Sequence, residues 1–226
     1  MVTVRRRQFL AASAGAALVG TAGCLRAASD AGQRPLAENP VGQDLDDQPR
    51  LGPHHDETDI TLVSFGNPNC GNCADFHAGT LAEIESEWVE SGEATLYART
   101  TTVTSWTESA VHALEEARRR AEPAYWTLKG EYYAHQTDLT TDNVVDRTRS
   151  FLAESDVSVD ADAVAGAARE TPHTDAIAAD ERAANAASGS IGFPTPTTYL
   201  FEDGEFVTTL GDPGFEGFEA AVESDG

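Results

Sequence analysis

The clearest hydrophobic pattern lies over residues 59–65, where apolar and β-branched residues predominate on both alternating faces. This pattern is typical of a strand that is buried on both sides. A second strand is predicted over 94–100. Between them, the sequence predicts a helix that stops before a Ser-Gly pair, which gives a β-loop-α-β unit of a parallel or mixed sheet. The residues that recur at helical spacing are Phe76, His77, Leu81, Ile84 and Trp88.

The middle of the chain has helical periodicity instead. Pro123 suits the first position of a helix, and Thr141 with Asp142 can cap another. The aromatic residues of this block, among them Trp126 and Tyr133, are interpreted as packing residues. We predict helices over 108–120, 123–136, 142–154 and 175–187, with a short helical piece from Asp162.

Strand patterns return near the C-terminus. Strands are predicted over 197–201 and 206–210, and the Glu-Asp-Gly-Glu sequence between them is a turn signal for a hairpin. A last amphipathic helix carries Phe215 and Phe218. The order β-α-β, a helical block, then β-β-α predicts an α/β fold in which a helical insertion, at about 104–188, splits the sheet domain over 58–226.

The N-terminus has the features of an export signal over residues 1–23. Three arginines precede an uncharged, weakly hydrophobic stretch that is too short to span a bilayer, as in twin-arginine signals. The stretch ends in Thr-Ala-Gly before Cys24, which looks like a lipobox, so Cys24 is predicted to carry a lipid anchor to the membrane. The alternative is that Cys24 merely lies near a signal-peptidase site.

Residues 24–57 are polar and interrupted by prolines, and we predict a flexible linker there. His54 and His55 lie in this segment beside acidic residues. The pair can either hold a metal loosely or simply be solvated.

The charge balance narrows the possible partners. The chain has 38 acidic and 15 basic residues, for a formal net charge of −23. This argues against nucleic acid or an anionic membrane surface as the primary partner. Because the acidic residues are dispersed, we interpret them as a solvated surface adapted to a high-salt organism such as a haloarchaeon. The alternative, a cation site built from carboxylates, lacks clustered ligand spacing.

Cys70 and Cys73 form a CxxC pair between a predicted strand and the helix that follows it. A helix N-terminus presents unpaired N–H groups and a partial positive charge, which stabilise a thiolate. Cys70 is therefore the predicted nucleophile, and Cys73 can attack a mixed disulfide and release the substrate. Two alternatives remain open: a structural disulfide, and half of a zinc site. The further zinc ligands would come from His77, His112, His135 or His173.

Several motifs together resemble the DsbA-like branch of the thioredoxin superfamily, over about 59–222. The strand and CxxC are followed by Phe76-His77, and the segment 125–136 resembles the helical insertion of that family. Thr195-Pro196-Thr197, leading into the hairpin, resembles its cis-proline strand. The resemblance implies a thioredoxin-like fold with catalytic Cys70 and Cys73, and substrate binding at Thr195 and a cis Pro196; Pro194 is the less favoured candidate for the cis bond.

The resemblance also implies an enzyme, a thiol–disulfide oxidoreductase outside the cytoplasm that acts on substrate proteins with cysteines or disulfides. It implies a membrane redox partner, no cofactor and no resident metal. Two departures limit it. Ser64 stands where relatives often carry a buried carboxylate that relays a proton to the second cysteine, so an inward-facing Asp75 or a water is needed instead. Gly71-Asn72 differs from the Pro-x pair of strong oxidases, which leaves the direction of electron flow open.

Two other functions compete with this one. The first is a module that binds or delivers soft metals, copper or zinc, through Cys70, Cys73 and a histidine. The second is a binding lipoprotein in which the disulfide is only structural.

Overall fold

The computed structural model describes residues 31–102, 105–189 and 193–224. The predicted signal over 1–23 and the predicted lipidation residue Cys24 lie outside these ranges. Within them, no helix has the length and apolar character needed to cross a membrane.

A five-stranded sheet forms the centre of the fold, in the order β1-β3-β2-β4-β5. Only β2 and β3 are parallel, and the other neighbours are antiparallel. All residues of β2 and β3 are buried, as the hydrophobic pattern predicts. The strands are β1 (Arg50–Leu51), β2 (Ile60–Gly66), β3 (Ala94–Thr100), β4 (Thr197–Glu202) and β5 (Glu205–Leu210).

The helices follow the predicted order, and the α/β fold with a helical insertion is confirmed. They are α1 (Gly71–Ala78), α2 (Thr80–Ile84), α3 (Ser105–Arg120), α4 (Glu122–Ala134), α5 (Val144–Glu154), α6 (Ala161–Glu170), α7 (Thr174–Ser188) and α8 (Phe215–Glu223). Helices α3 to α7 form the insertion between β3 and β4. The helix predicted after the CxxC pair is interrupted at Gly79, whose φ of −112° and ψ of −87° are not helical, and it ends in a π-helical turn, Glu85–Val89.

Alternate residues of β2 point to opposite sides of the sheet and join two different cores. Ile60 and Leu62 pack with residues of α1, α2 and α8. Val63 and Phe65 pack instead with residues of α7 and of the segment before β1. The insertion has a third core of its own. Ser64 has the parity of Ile60 and Leu62, so the sheet directs it toward the α1 side.

The predicted flexible linker is wrong over residues 31–57. Short 3₁₀ turns and β1 occupy this segment, and β1 pairs with β3. Leu36, Val41 and Leu45 are buried against the sheet and α7. The prolines suggested a spacer, but proline backbone geometry also suits tight turns, and the apolar residues spaced between them supply enough burial to order the segment.

A buried ion pair joins this N-terminal segment to β3 and α7. Arg99 is 2% exposed, and its Nη1 lies 2.7 Å from Oδ1 of Asp180. Arg99 also donates to the carbonyl oxygens of Val41, at 3.2 Å, and of Gln43. The other carboxylate oxygen of Asp180 accepts the Thr100 N–H at 3.1 Å. Because each charge is paired and further hydrogen-bonded, the low-dielectric interior strengthens the contact.

We expect Asp180→Asn to lower the free energy of unfolding by about 3–5 kcal/mol, because it leaves the Arg99 guanidinium buried without its counter-charge. Denaturant unfolding in molar salt measures the change. The matched control is Asp162→Asn, which breaks an exposed ion pair to Arg149 and should cost only a small fraction of that. Equal losses of unfolding free energy in the two variants would show that the buried Arg99–Asp180 pair does not stabilise the fold more than an exposed pair does.

Candidate active site

A single asparagine builds the turn between β2 and α1. The side chain of Asn67, which is buried, donates to the carbonyl of Thr101 at 2.7 Å and accepts the Asn69 N–H at 2.8 Å. The Asn67 carbonyl accepts the N–H of Cys70 at 3.0 Å. These three bonds fix where the helix starts and therefore where the first cysteine lies.

Cys70 is the N-cap residue of α1 and is half-buried. Its Sγ accepts the N–H of Cys73 at 3.2 Å, and its thiol donates to the carbonyl oxygen of Thr195, also at 3.2 Å. The peptide bond between Thr195 and Pro196 is cis, at the proline favoured over Pro194. Both cysteines are free thiols in this structure. The first cysteine therefore touches both the helix N-terminus and the loop before β4.

Cys73 lies behind Cys70 and is only 2% exposed. Burial, with the hydrogen bond to Cys70 as the next cause, raises the pKa of the Cys73 thiol to about 12. Cys73 therefore stays protonated at neutral pH, and the sulfur that solvent and a substrate can reach belongs to Cys70.

Neither Ser64, at the position of the usual carboxylate, nor the candidate substitute Asp75 supplies a buried acid. Ser64 is buried, and its hydroxyl accepts a hydrogen bond from the Thr198 hydroxyl at 3.0 Å. Asp75 is exposed on α1, so it does not meet the condition, an inward-facing side chain, under which it could replace the carboxylate. Helical geometry explains this, since Cys73 and Phe76 occupy the inward positions and Asp75 lies between them on the other side.

A small cavity of about 10 Å³ lies beneath Cys73, and α4 supplies part of its wall. Besides the predicted site residues Cys73 and Pro196, its lining includes residues of α4 that sequence reasoning did not assign to the site, and His77, which the sequence indicates only as a motif residue and a possible zinc ligand. The residues of α4 are Trp126, Lys129 and Tyr133. The available signal was Lys129: it is the only lysine of the chain, and it interrupts an otherwise apolar stripe of α4 at the spacing of Tyr125, Leu128, Tyr132 and Tyr133.

His77 is neutral in this setting. Burial, together with the positive charge of Lys129, lowers the pKa of His77 to about 4. Its Nδ1 is buried and finds no hydrogen-bond partner in the described part of the chain. Its ring packs against Tyr133 with the centroids 5.2 Å apart.

The metal-binding alternatives gain no ligand set at the cysteines. Across the ranges that the structure describes, one group of three residues has its ligand atoms within 4.8 Å of one another. It consists of Asp46, His54 and His55 and does not include the cysteines. The other zinc-ligand candidates are engaged in the insertion. His173 donates its N–H to His112 at 2.9 Å and lies 2.8 Å from Glu116, and His135 lies 3.4 Å from Glu131.

This arrangement of sheet, CxxC helix and cis-proline loop agrees with a comparison to known families. A family model described as thioredoxin matches residues 49–223. The chain belongs to the thioredoxin family. No curated protein matches it.

Solved structures share the fold of this thioredoxin-family chain at low sequence identity. DsbA of Chlamydia trachomatis is 17% identical with a TM-score of 0.65, over 78% of this chain and 90% of that one. BdbD of Bacillus subtilis is 17% identical with a TM-score of 0.62, over 85% and 95%. The thiol-disulfide exchange protein alpha-DsbA2 of Wolbachia pipientis is 12% identical with a TM-score of 0.63, over 92% and 100%. The DsbA-like recognition made from the motifs is therefore confirmed at the level of the fold.

We expect iodoacetamide to label the reduced protein at Cys70 well before Cys73. Cys73 is shielded, and a pKa of about 12 leaves roughly one thiol in ten thousand ionised at pH 8. Peptide mass spectrometry after timed labelling measures both rates. The Cys70→Ser variant is the control, in which Cys73 should remain slow; equally fast labelling of both cysteines in the wild type would contradict the described geometry.

Proposed function

We propose that this protein is an extracytoplasmic enzyme, a thiol–disulfide oxidoreductase that acts on cysteines of other proteins through Cys70 and Cys73. The observation that supports this most is the position of Cys70 Sγ, which lies 3.2 Å from both the Cys73 amide nitrogen and the Thr195 carbonyl oxygen. The amide can stabilise negative charge on the sulfur, while the neighbouring loop offers backbone to a substrate.

The reaction transfers one disulfide between the enzyme and the substrate through a mixed-disulfide intermediate. In the oxidising direction, a substrate thiolate attacks Cys70 Sγ, the Cys70–Cys73 bond breaks, and Cys73 leaves with the electron pair and takes up a proton. A second substrate thiolate then attacks the substrate sulfur of the mixed disulfide, and Cys70 leaves as a thiolate. The substrate dithiol loses two electrons and the enzyme gains them. In the reducing direction every step runs backwards.

The substrate-binding role belongs to Thr195 and Pro196. They precede β4 directly and lie against the reactive sulfur, so an extended substrate segment can pair with their backbone in the manner of an added strand. Twin-arginine export and a lipid on Cys24 would hold the domain at the outer face of the membrane, close to a membrane redox partner.

We expect Cys70→Ser to abolish exchange, because no sulfur remains to form the mixed disulfide. Cys73→Ser should also stop turnover, but it should accumulate mixed disulfides with substrate, because the resolving thiol is gone. Oxidation of a dithiol peptide in molar salt measures turnover, and non-reducing gels measure trapping. Equal activity of the two variants and the wild type would refute the proposal.

The redox potential decides the direction. Equilibration with glutathione buffers in molar salt, followed by thiol labelling and mass spectrometry, gives the potential of the Cys70–Cys73 pair. A value of roughly −120 to −180 mV makes the enzyme a disulfide donor or isomerase, and a value near about −270 mV makes it a reductase. A pair that does not exchange at all would support the structural-disulfide alternative.

A further inference from the structure

Disulfide exchange at a buried cysteine requires a proton to move each time that sulfur changes from bonded to free. Cys73 is enclosed, so bulk water cannot reach it freely to deliver or take this proton. The cavity beneath it is about 10 Å³, close to the roughly 10–15 Å³ that a single water needs. A cavity of this size holds at most one water, and an enclosed water must itself exchange the proton with a protein group, so a side chain at the cavity is needed as the proton source.

Three of the nearby side chains are poor candidates. Ser64 presents a hydroxyl, which does not ionise in the working pH range, and Asp75 is exposed. His77 lines the cavity, but burial and Lys129 lower its pKa to about 4, so it is a weak base at neutral pH. An efficient proton-transfer group has a pKa near the pH at which it works.

Lys129 remains, and its surroundings are unusual for a lysine. It is only 8% exposed, and it lines the same cavity as Cys73. Its Nζ lies 5.4 Å from the ring centroid of Tyr125 and 5.1 Å from that of Trp126. Among the described residues, no carboxylate forms an ion pair with it and no hydrogen bond engages it. Aromatic faces offset only part of the cost of burying an ammonium group.

The unpaired position makes Lys129 easy to deprotonate. Burial lowers the pKa of Lys129 to about 8, with the charges of Cys73 and Asp180 opposing the change. Both the ammonium and the amine forms are therefore accessible near neutral pH. Since the folded-state pKa is below the unfolded value, the unfolded chain binds more protons between these two values, and this group makes the fold more stable as pH rises from about 8 toward 10.5.

We infer that Lys129 is the proton donor and acceptor for Cys73 in disulfide exchange, in place of the carboxylate that DsbA-like relatives often carry at the position of Ser64. The inference rests on the proposed function. In the oxidising direction, the Cys70–Cys73 bond breaks, Cys73 Sγ takes the electron pair, and the Lys129 ammonium gives it a proton and becomes an amine. In the reducing direction, the amine takes the proton as Cys73 attacks Cys70 Sγ and the substrate leaves as a thiolate.

Other titrating groups face Lys129 and must be separated from it. They are Cys73 and His77 on α1, Tyr125 and Tyr133 on α4, and Asp180 on α7. Burial raises the pKa values of both tyrosines far above the neutral range, and it raises the pKa of Asp180 to about 6 against the opposing charge of Arg99. Disulfide formation removes both cysteines from titration. In the oxidised protein, Lys129 is therefore the group of this set that is expected to titrate just above pH 7.

The first test uses the wild-type protein and the fact that Lys129 is the only lysine. Labelling with ¹³C-lysine gives a single side-chain NMR resonance at Cε, and its pH dependence in the oxidised protein reports this amine directly. We expect a titration midpoint at or below pH 8, well below that of an ordinary lysine, because the oxidised protein lacks the Cys73 charge that raises the pKa of Lys129. A midpoint above pH 10 would overturn the inference, whatever the variants do.

The second test separates proton transfer from positive charge. Lys129→Met removes both, whereas Lys129→Arg keeps the charge but cannot give up its proton. We expect both variants to slow exchange by about 100-fold, and to lose a pH dependence near 8. An arginine variant with the wild-type rate would overturn the inference, because charge alone would then suffice. Arg147→Met is the matched control: it removes a cation 4.8 Å from the ring of Phe151 outside the site, and it should leave exchange unchanged.

The third test does not depend on turnover. In the Cys70→Ser background, the rate of Cys73 alkylation should rise with pH and bend near pH 8, where loss of the Lys129 charge makes the Cys73 thiolate less favourable. Lys129→Met should remove the bend and, by relieving a buried unpaired charge, raise the melting temperature. An unchanged bend in this variant would overturn the inference. If Lys129→Met removes the bend but the wild-type protein shows no disulfide exchange, the proposed function is refuted, whereas the effect of Lys129 on Cys73 stands.

Discussion

The site depends on one constraint: the N-terminus of α1 and the loop before β4 must both lie within hydrogen-bonding distance of the Cys70 sulfur. This is possible because β2 and β4 are antiparallel neighbours, so the carboxyl end of β2 and the amino end of β4 lie at the same edge of the sheet. The chain separates these strands by the whole insertion, yet the sheet brings Cys70 and Thr195 together. Core packing on both faces of β2 therefore serves the chemistry, because it fixes the strand register that brings Cys70 and Thr195 together.

The insertion contributes chemistry as well as packing. Helix α4 lies against α1, and its apolar stripe supplies the floor beneath Cys73. Lys129 interrupts this stripe, so under the inference above the insertion also supplies the proton-transfer group for Cys73. An insertion can thus change the acid–base properties of a site whose two cysteines both lie at the start of α1.

Much of the fold could be predicted because its elements carry strong local signals. The two-sided burial of β2 and the Asp203-Gly204 turn are properties of adjacent residues, and so is the CxxC pair at a helix start. The cap predicted at Thr141 and Asp142 is wrong, because the helix begins at Val144 after an N-cap at Asn143. The packing of residues 31–57 could not be predicted, because Leu36, Val41 and Leu45 acquire partners only when β3 and α7 are in place. The sequence leaves the orientation of Asp75 open: the residue is close to Cys73 along the chain, but the helix turns its side chain outward. Lys129 lies 56 positions beyond Cys73 by sequence number, and only the tertiary structure places both at one cavity.

Salt affects the surface charges and the buried charges of this protein differently, and the buried charges themselves have two roles. Surface carboxylates give the chain its charge of −23, but in molar salt the Debye length is about 3 Å and their fields are largely screened. The interior is not screened in this way. Arg99 and Asp180 neutralise each other there and hold three segments together, so their charge has a structural role. Lys129 has no such partner among the described residues, and a paired lysine would hold its proton too firmly to exchange it. The same isolation that makes Lys129 costly to the fold is what makes its proton available to Cys73.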